Sequence, residues 1–479
     1  MRKIIYLGII FFTFMACSGP KDEPTQAEEE YSVPPVDLDL AEIIERGYIN
    51  AAIDQNSTSY FIYKGELMGF EYELLKRFEN FLDVKVNIIV QPSIEASFRM
   101  LNRGEVDIVA YPLTITKSRK KIIAFTDHYI TQRQVLVQRK PKNWRKMKLH
   151  EIEKVLIRDQ VDLIDEEIHV LSHSSYVDAL ESLSEQIGGD ITAIEADPAL
   201  DSEQLIEQVA DGRINYTVSD ENIAYVNRSY YPNVDIKTYV SFPRRIAWAV
   251  RMNAPHLRDT LNYGINRIRK NGIIKVTYDK YFRSTRKSRE IAKSDFASFT
   301  GKKFSPYDDL IKENAAKLKW DWRLLAAMIY QESRFNPKTT SWAGAQGLLQ
   351  MMPASAKRFG VNDRTNPEQN LRGGTEYLMW LENLWQQRVE SPDERLKFIM
   401  ASYNVGIGHV YDACALTEKN GGNPARWNDV KAYLINLAHR QYYSDPVVKL
   451  GYARGSEPVN YVDNILELFE RYKQLIPEN

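Results

Sequence analysis

The feature that most limits the fold is a change of hydrophobic rhythm between residues 284 and 303. From Leu40 to about Phe282, short β-rich runs alternate with helical patterns. Tyr48 to Ile53 reads as a strand, as do Val84 to Val90 and Asp107 to Ala110. Phe70 to Leu82 has helical spacing, with Leu74, Leu75, Phe78 and Phe81 on one side. Such alternation predicts an α/β domain with largely parallel sheets. Ser284 to Lys303 is rich in Ser, Lys and Arg and poor in large apolar residues, the composition of a linker. Beyond it, Leu310 to Leu349 and Asn370 to Asn404 carry a helical period with few β-branched runs, so the last third is expected to be all-α. The 479 residues thus divide into units of roughly 240 and 170, ordinary domain sizes.

Composition removes several classes. The 63 Lys+Arg and 64 Asp+Glu leave a net charge of -1, which argues against nucleic acid as a partner found by bulk charge. Two cysteines, Cys17 and Cys414, exclude a disulfide scaffold and a multi-cysteine zinc or iron–sulfur site. Arg2 and Lys3 precede an apolar run from Ile4 to Ala16, about half the ~20 residues a spanning helix needs and the length of a secretory signal core. Phe14-Met15-Ala16-Cys17-Ser18-Gly19 resembles the lipobox of bacterial lipoproteins, with Phe14 where the strongest form has Leu. The resemblance implies that residues 1–16 are removed, that Cys17 carries lipid, and that the chain is anchored at the periplasmic face of the outer membrane. An ordinary signal peptide with an incidental Cys is the alternative. Lys21 to Asp39 is acidic and Pro-containing, so residues 17–39 read as a tether.

In the helical third, Asp321 can cap a helix running through Leu324, Leu325, Met328 and Ile329 to Glu332. Glu332 shares a face with Leu325, Met328 and Ile329, so a carboxylate closes an apolar stripe, where desolvation favours its protonated form. A general acid for glycosidic cleavage needs that setting, although a glutamate ending an amphipathic helix more often meets water or a cation. Its context is informative. Gln331-Glu332-Ser333-Arg334-Phe335-Asn336-Pro337 is followed by Ser341-Trp342-Ala343-Gly344-Ala345-Gln346-Gly347-Leu348-Leu349-Gln350-Met351-Met352-Pro353, then Ala401-Ser402-Tyr403-Asn404-Val405-Gly406 and Glu457-Pro458-Val459-Asn460-Tyr461-Val462. In this order, over Phe304 to Leu475, the blocks resemble the soluble lytic transglycosylase family, which has a goose-lysozyme-like fold. Leu349 replaces a usual Met, Ser402 a common Ala and Pro458 a common Thr.

The resemblance implies that Glu332 is the single catalytic acid/base, acting on peptidoglycan glycan strands with formation of 1,6-anhydromuramic ends. It places Ser341, Gln350 and Met352 along the sugar cleft, Tyr403, Asn404 and Tyr461 as positioning groups, and Glu457 in support of them. That chemistry requires no second carboxylate; Asp363 and Glu368 lie in a Pro/Asn-rich stretch expected to face solvent. No metal or cofactor is expected.

In the first domain, Phe61, Gly69-Phe70-Glu71-Tyr72-Glu73-Leu74, Leu113-Thr114-Ile115-Thr116-Lys117-Ser118-Arg119, Phe125-Thr126 and Tyr129 resemble the family 3 solute-binding proteins. The resemblance implies a two-lobed periplasmic-binding-protein-like α/β domain over residues 40–283. One lobe comprises Leu40 to about Gln132 plus Ser241 to Phe282, and the other lies between. A Thr-x-x-x-x-Arg spacing suits carboxylate capture by hydroxyl and guanidinium together. Arg119 and Thr114 would hold a carboxylate, Asp220 an ammonium, and Phe61 would complete a site for an amino acid or cell-wall peptide. Glu73 replaces a frequent Asp.

Joined behind a lipobox, with a linker at 284–303 and a helical domain at 304–479, the two parts resemble the membrane-bound lytic murein transglycosylases, in which the receptor-like part is taken to regulate the enzyme. Two other readings stay open: a lysozyme-like hydrolase of the same fold, and a non-catalytic binding protein with a glycan-holding module. His169 and His173 have a metal-like spacing, but in a strand four residues span roughly 13 Å, too far for one ion.

Overall fold

The computed structural model describes residues 34–476, apart from 173, 199, 285–289, 292–293, 300–302 and 304. The signal segment, Cys17, most of the tether and His173 lie outside the described residues.

The first lobe is built on β1 (Tyr48–Ile53), β4 (Lys85–Val90), β5 (Ile108–Thr114), β6 (Ala124–Phe125), β7 (Ile130–Gln132) and β13 (Arg244–Val250). Their order is β4-β1-β5-β13-β6, with β7 also on β13. The second sheet, β10-β9-β11-β8-β12, uses β8 (Gln134–Arg139), β9 (Glu167–Val170), β10 (Thr192–Glu195), β11 (Tyr216–Asp220) and β12 (Val234–Tyr239). The alternation predicts largely parallel sheets, but both sheets are mixed. β1 is parallel to β4 and β5, but β13 runs antiparallel to β5, β6 and β7. In the second sheet β8 opposes both β11 and β12. The reason is topological: the odd strands arrive from the other lobe, without the helical crossover that makes neighbours parallel. The chain changes sheets between Gln132 and Gln134 and returns between Tyr239 and Arg244, leaving a cleft between two rigid bodies.

A hairpin of β2 (Phe61–Tyr63) and β3 (Glu66–Met68) stands apart from both sheets. Its open edge is met by residues expected to be linker: Lys64 N donates to Phe296 O (2.9 Å) and Ser298 N to Ile62 O (2.9 Å), with Ala297 buried. A two-stranded hairpin leaves unpaired donors and acceptors, and the described end of the linker satisfies them. The end of the tether is docked as well. Val36 N donates to Asn102 O (2.9 Å), and Asp39 caps the helix Leu40–Arg46 while accepting from Leu257 N (2.8 Å).

The last third is helical. Trp322–Ser333, Pro367–Gln386, Pro392–Val405, Ile407–Lys419 and Ser456–Leu475 are its longer helices. The helical rhythm expected through Leu349 stops at Ser333, because Arg334 and Phe335 turn left-handed (φ 50° and 59°) and start a loop. Pro458 lies in the first turn of Ser456–Leu475, where its missing amide is no loss. The far end of that helix docks on the first lobe: Arg471 Nη2 donates to Val86 O (2.9 Å) and Tyr472 Oη to Gly65 O (2.7 Å). It thereby covers the outer side of β4, an edge strand. No described helix is long and apolar enough to cross a membrane.

The first lobe also encloses a charge network. Arg251 is 0% exposed, pairs with buried Asp107 (2.9 Å), and donates to Val106 O (2.6 Å) and Leu38 O (3.1 Å); Arg46 reaches the same carboxylate. Removing one partner strands the other in a dry site. Arg251→Leu is expected to lower stability by about 3 kcal/mol, read as a lower urea midpoint; an unchanged midpoint would show that Arg46 alone satisfies Asp107.

Candidate active site

Asp321 starts the helix Trp322–Ser333 by accepting from Arg323 N (2.9 Å). Leu324 to Ile329 are buried, so this helix runs through the core rather than along a surface. Glu332 sits in its last turn, facing the helix Ser456–Leu475. There Tyr461 Oη donates to Glu332 Oε1 at 2.5 Å. Burial pushes the Glu332 carboxyl up to about 7, against the opposing pull of the Tyr461 hydrogen bond. Tyr403 is the third member. Burial and the Glu332 charge hold the Tyr403 and Tyr461 phenols far above their ordinary value, so both stay protonated donors. Tyr403 Oη donates to Leu349 O (2.7 Å), which ties the Tyr-Asn block to the Gly-Leu-Leu-Gln block.

The loop between these blocks is held by one buried amide. Asn370 accepts from Leu349 N (2.8 Å) and donates to Gln346 O (3.0 Å) and Arg364 O (2.8 Å). Gly347 (φ 89°) lies so close that a Cβ would strike Asn370 and the Arg364 carbonyl, so glycine is required there. Ser341 Oγ accepts from Ala345 N (3.0 Å), and Gln350 Nε2 donates to Thr339 O (3.0 Å) and Gly347 O (2.9 Å). Both side chains therefore brace the loop's own turns. Met352 is exposed just before the helix Pro353–Arg358, and Asn404 is exposed in the last turn of Pro392–Val405.

Glu457 is not brought to the cluster. Although one turn before Tyr461, it points to solvent and pairs with Arg454 at 3.6 Å, a favourable place for an acid at a helix start. Asp363 accepts from Thr365 in an exposed loop, and Glu368 is exposed on a helix rather than in the loop. Burial, opposed by the Tyr461 hydrogen bond, sets the Glu332 carboxyl. Two groups escaped the sequence reading, Asn370 and Tyr377, whose ring lies 5.1 Å from that of Tyr403. A buried asparagine inside a helical run was the available signal for the first. Ser402 gains a reason: its Oγ accepts from buried Trp385 Nε1 (2.9 Å).

Between the lobes of the first domain lies a cavity of about 360 Å³ that Thr114, Arg119 and Asp220 all line. Thr114 ends β5, Arg119 follows in the next turn, and Asp220 ends β11. Arg119 Nη1 donates to Thr114 O (3.2 Å). Asp220 is 6% exposed, and its Oδ1 has no hydrogen-bond partner among the described residues. Burial pushes it up to about 7, while Arg119 and Arg244 pull the other way. Phe61 was expected here and is elsewhere. It is 0% exposed and meets Tyr281 and Phe299 edge-on, because the inner face of the hairpin packs into the core under the docked linker. The sequence reading missed Asp54 and Glu203, which also line the cavity. The Ser57 hydroxyl and amide donate to Glu203, joining the two lobes.

Residues 309–425 match the transglycosylase SLT domain, and residues 49–284 match the bacterial extracellular solute-binding proteins, family 3. A membrane-bound lytic murein transglycosylase F from Desulfosudis oleivorans is 34% identical over 435 residues, covering 91% of this chain and 92% of its own. Another, from Idiomarina loihiensis, is 33% identical over 441 residues, with the same coverage of 91% and 92%. A solved ancestral arginine-binding protein bound to arginine aligns with 50% of this chain and 99% of its own, at 22% identity and a TM-score of 0.41. The chain belongs to the membrane-bound lytic murein transglycosylase F family, with a family 3 solute-binding domain ahead of its transglycosylase domain.

Proposed function

We propose that the helical domain cuts peptidoglycan strands between N-acetylmuramic acid and N-acetylglucosamine without water, leaving 1,6-anhydromuramic ends. The observation that carries this reading is a half-buried carboxyl, pushed up to about 7 and held by one phenol, with Asp363, Glu368 and Glu457 all turned to solvent. A hydrolase working through two carboxylates needs its second one ~5–9.5 Å away. Here Glu332 starts protonated and gives its proton to the glycosidic oxygen as the C1–O bond breaks. The carboxylate then takes the proton of the muramyl C6 hydroxyl, whose oxygen closes on C1, so the enzyme ends as it began. Tyr461 steadies the carboxylate form between the two steps. Tyr403 and Asn404 position the sugar, with Ser341, Gln350 and Met352 along the cleft.

In the first domain, Arg119 and Thr114 take the carboxylate of an amino acid or cell-wall peptide, and Asp220 takes its ammonium. Occupancy of that cleft regulates cleavage. Lipid on Cys17 holds the enzyme at the periplasmic face of the outer membrane.

Four outcomes test the catalytic reading. Glu332→Gln should lose at least about a hundredfold in lysis of purified sacculi. The same change should stabilise the fold above neutral pH. The folded value of about 7 exceeds the ordinary 4.5, so the wild type loses stability as pH rises through that window. At pH 8 the cost is on the order of 3 kcal/mol, which the neutral amide avoids; at pH 4 the two proteins should unfold alike in urea. In Tyr461→Phe the carboxylate loses its stabilising donor. The alkaline fall in rate, expected near pH 7 for the wild type, should therefore move to higher pH. Mass spectrometry of the muropeptides should show ends lighter by one water than hydrolytic ones, and reducing ends would overturn the non-hydrolytic step.

A further inference from the structure

We propose that Trp342 is a specificity-determining substrate contact of the helical domain, an indole platform on which one sugar ring of the glycan strand lies face to face. The inference rests on reading that domain as an enzyme of peptidoglycan strands, and it concerns a residue to which that reading gives no role.

Exposure sets Trp342 apart. The chain has eight tryptophans, and the other seven are buried or half-buried. Trp342 is 98% exposed, with no ring or cation against it among the described residues. Single apolar groups on a surface are unremarkable, but an indole left wholly in water forfeits a large burial gain that the other seven obtain.

The side chain is also held still. Trp342 and Ala343 are the central residues of a tight turn, closed by Gly344 N donating to Ser341 O (3.0 Å). Ser341 N donates to Ala345 O (2.9 Å), and Ala345 N returns a bond to Ser341 Oγ (3.0 Å). Arg364 Nη1 clamps the turn at Gly344 O (2.6 Å) and reaches Met351 O (3.2 Å). The base of the loop is closed by Gln346 and Met351, which exchange backbone bonds of 3.1 and 2.9 Å. Between them Leu349 O accepts the Tyr403 hydroxyl, so the turn is tied to the Glu332 cluster. A ring fixed before its ligand arrives loses little further freedom on binding.

Exposed apolar groups concentrate around that cluster. In the helical domain they are Trp342, Met352, Met379, Ile435, Leu450 and Tyr452 among the described residues. Trp342 and Met352 stand on the loop that Tyr403 holds. Leu450 and Tyr452 stand on the loop leading into the Tyr461 helix, where buried Asp412 accepts from Lys449 N and Leu450 N (2.8 Å each). A pyranose suits such surroundings, because its faces present C–H groups and its rim presents hydroxyls that stay in water. The negative face of an indole meets those C–H groups directly. A lipid surface is the poorer match, since it takes a continuous apolar face of a helix with a cationic border rather than one ring at a turn.

The test uses the full chain with Glu332→Gln as a non-lytic background, and glycan strands freed of their stem peptides as the probe. Iodide quenches exposed indoles, so strands should protect the quenchable emission, and Trp342→Phe should lack that emission from the outset. In the same background Trp342→Ala should weaken strand binding about fivefold or more, and Trp342→Phe much less. With Glu332 intact, Trp342→Ala should raise the sacculus concentration for half-maximal lysis by a similar factor, leaving the maximal rate within about twofold and the urea midpoint unchanged. Full iodide access with strands bound, or unchanged affinity in Trp342→Ala, overturns the platform and leaves the transglycosylase reading standing. A loss confined to strands that keep their peptides overturns it in favour of a peptide contact. A fall in maximal rate with a lower urea midpoint overturns it in favour of a structural role. If Glu332→Gln binds no strands and the wild type leaves sacculi intact, the peptidoglycan reading falls, and this inference with it.

Discussion

The structure turns on half-burying one carboxyl at the end of an apolar helix. Glu332 lies in the last turn of a helix buried along most of its length, and its Oε1 accepts from the phenol of Tyr461, 129 positions later in the chain. A carboxyl so placed holds its proton near neutrality, which a group that must first give and then take a proton requires. The surroundings serve that requirement. Tyr403 and Tyr461 are themselves kept protonated by burial and by the Glu332 charge, so they can donate but cannot compete for the proton. Asn370 and Gly347 fix the loop that receives the Tyr403 hydroxyl, because only an unbranched backbone fits against the asparagine amide.

The helix that carries Tyr461 also carries Arg471 and Tyr472 into the first lobe. The same rigid element thus borders the acid at one end and caps the edge of a sheet at the other. Tyr472 meets the β2–β3 hairpin at Gly65, where a side chain would strike Tyr330 and Phe335, the residues flanking the end of the helix Trp322–Ser333. The two domains are in contact through side-chain hydrogen bonds to first-lobe carbonyls, from Arg471, Tyr472 and Gln474, and the described part of the linker pairs with the hairpin beside them.

Much of the local structure was legible. β1 begins and ends where its apolar run does, and Phe70–Leu82 is the helix its spacing implies. These patterns are set by near neighbours, so a single sequence carries them. Strand direction was not legible, because β13 takes its partners from segments that precede it by more than a hundred residues. The site divides in the same way. The apolar stripe leading to Glu332 is a matter of helical period. The burial of Phe61 and the turning of Glu457 to solvent are not, since each depends on what packs against it: a docked linker over the first, nothing over the second.

What the sequence by itself determined was the kind of domain on either side of residues 284–303, and the local setting of a glutamate at the end of an apolar helical face. Periodicity and short blocks suffice for that, because both are properties of consecutive residues. Only the tertiary structure decided that Tyr461 is the group on Glu332, that Asp54 and Glu203 line one cavity from different lobes, and that the stretch read as linker closes a hairpin. Those outcomes come from segments far apart in the chain competing for the same buried space, and burial is what raises the Glu332 carboxyl above its ordinary range.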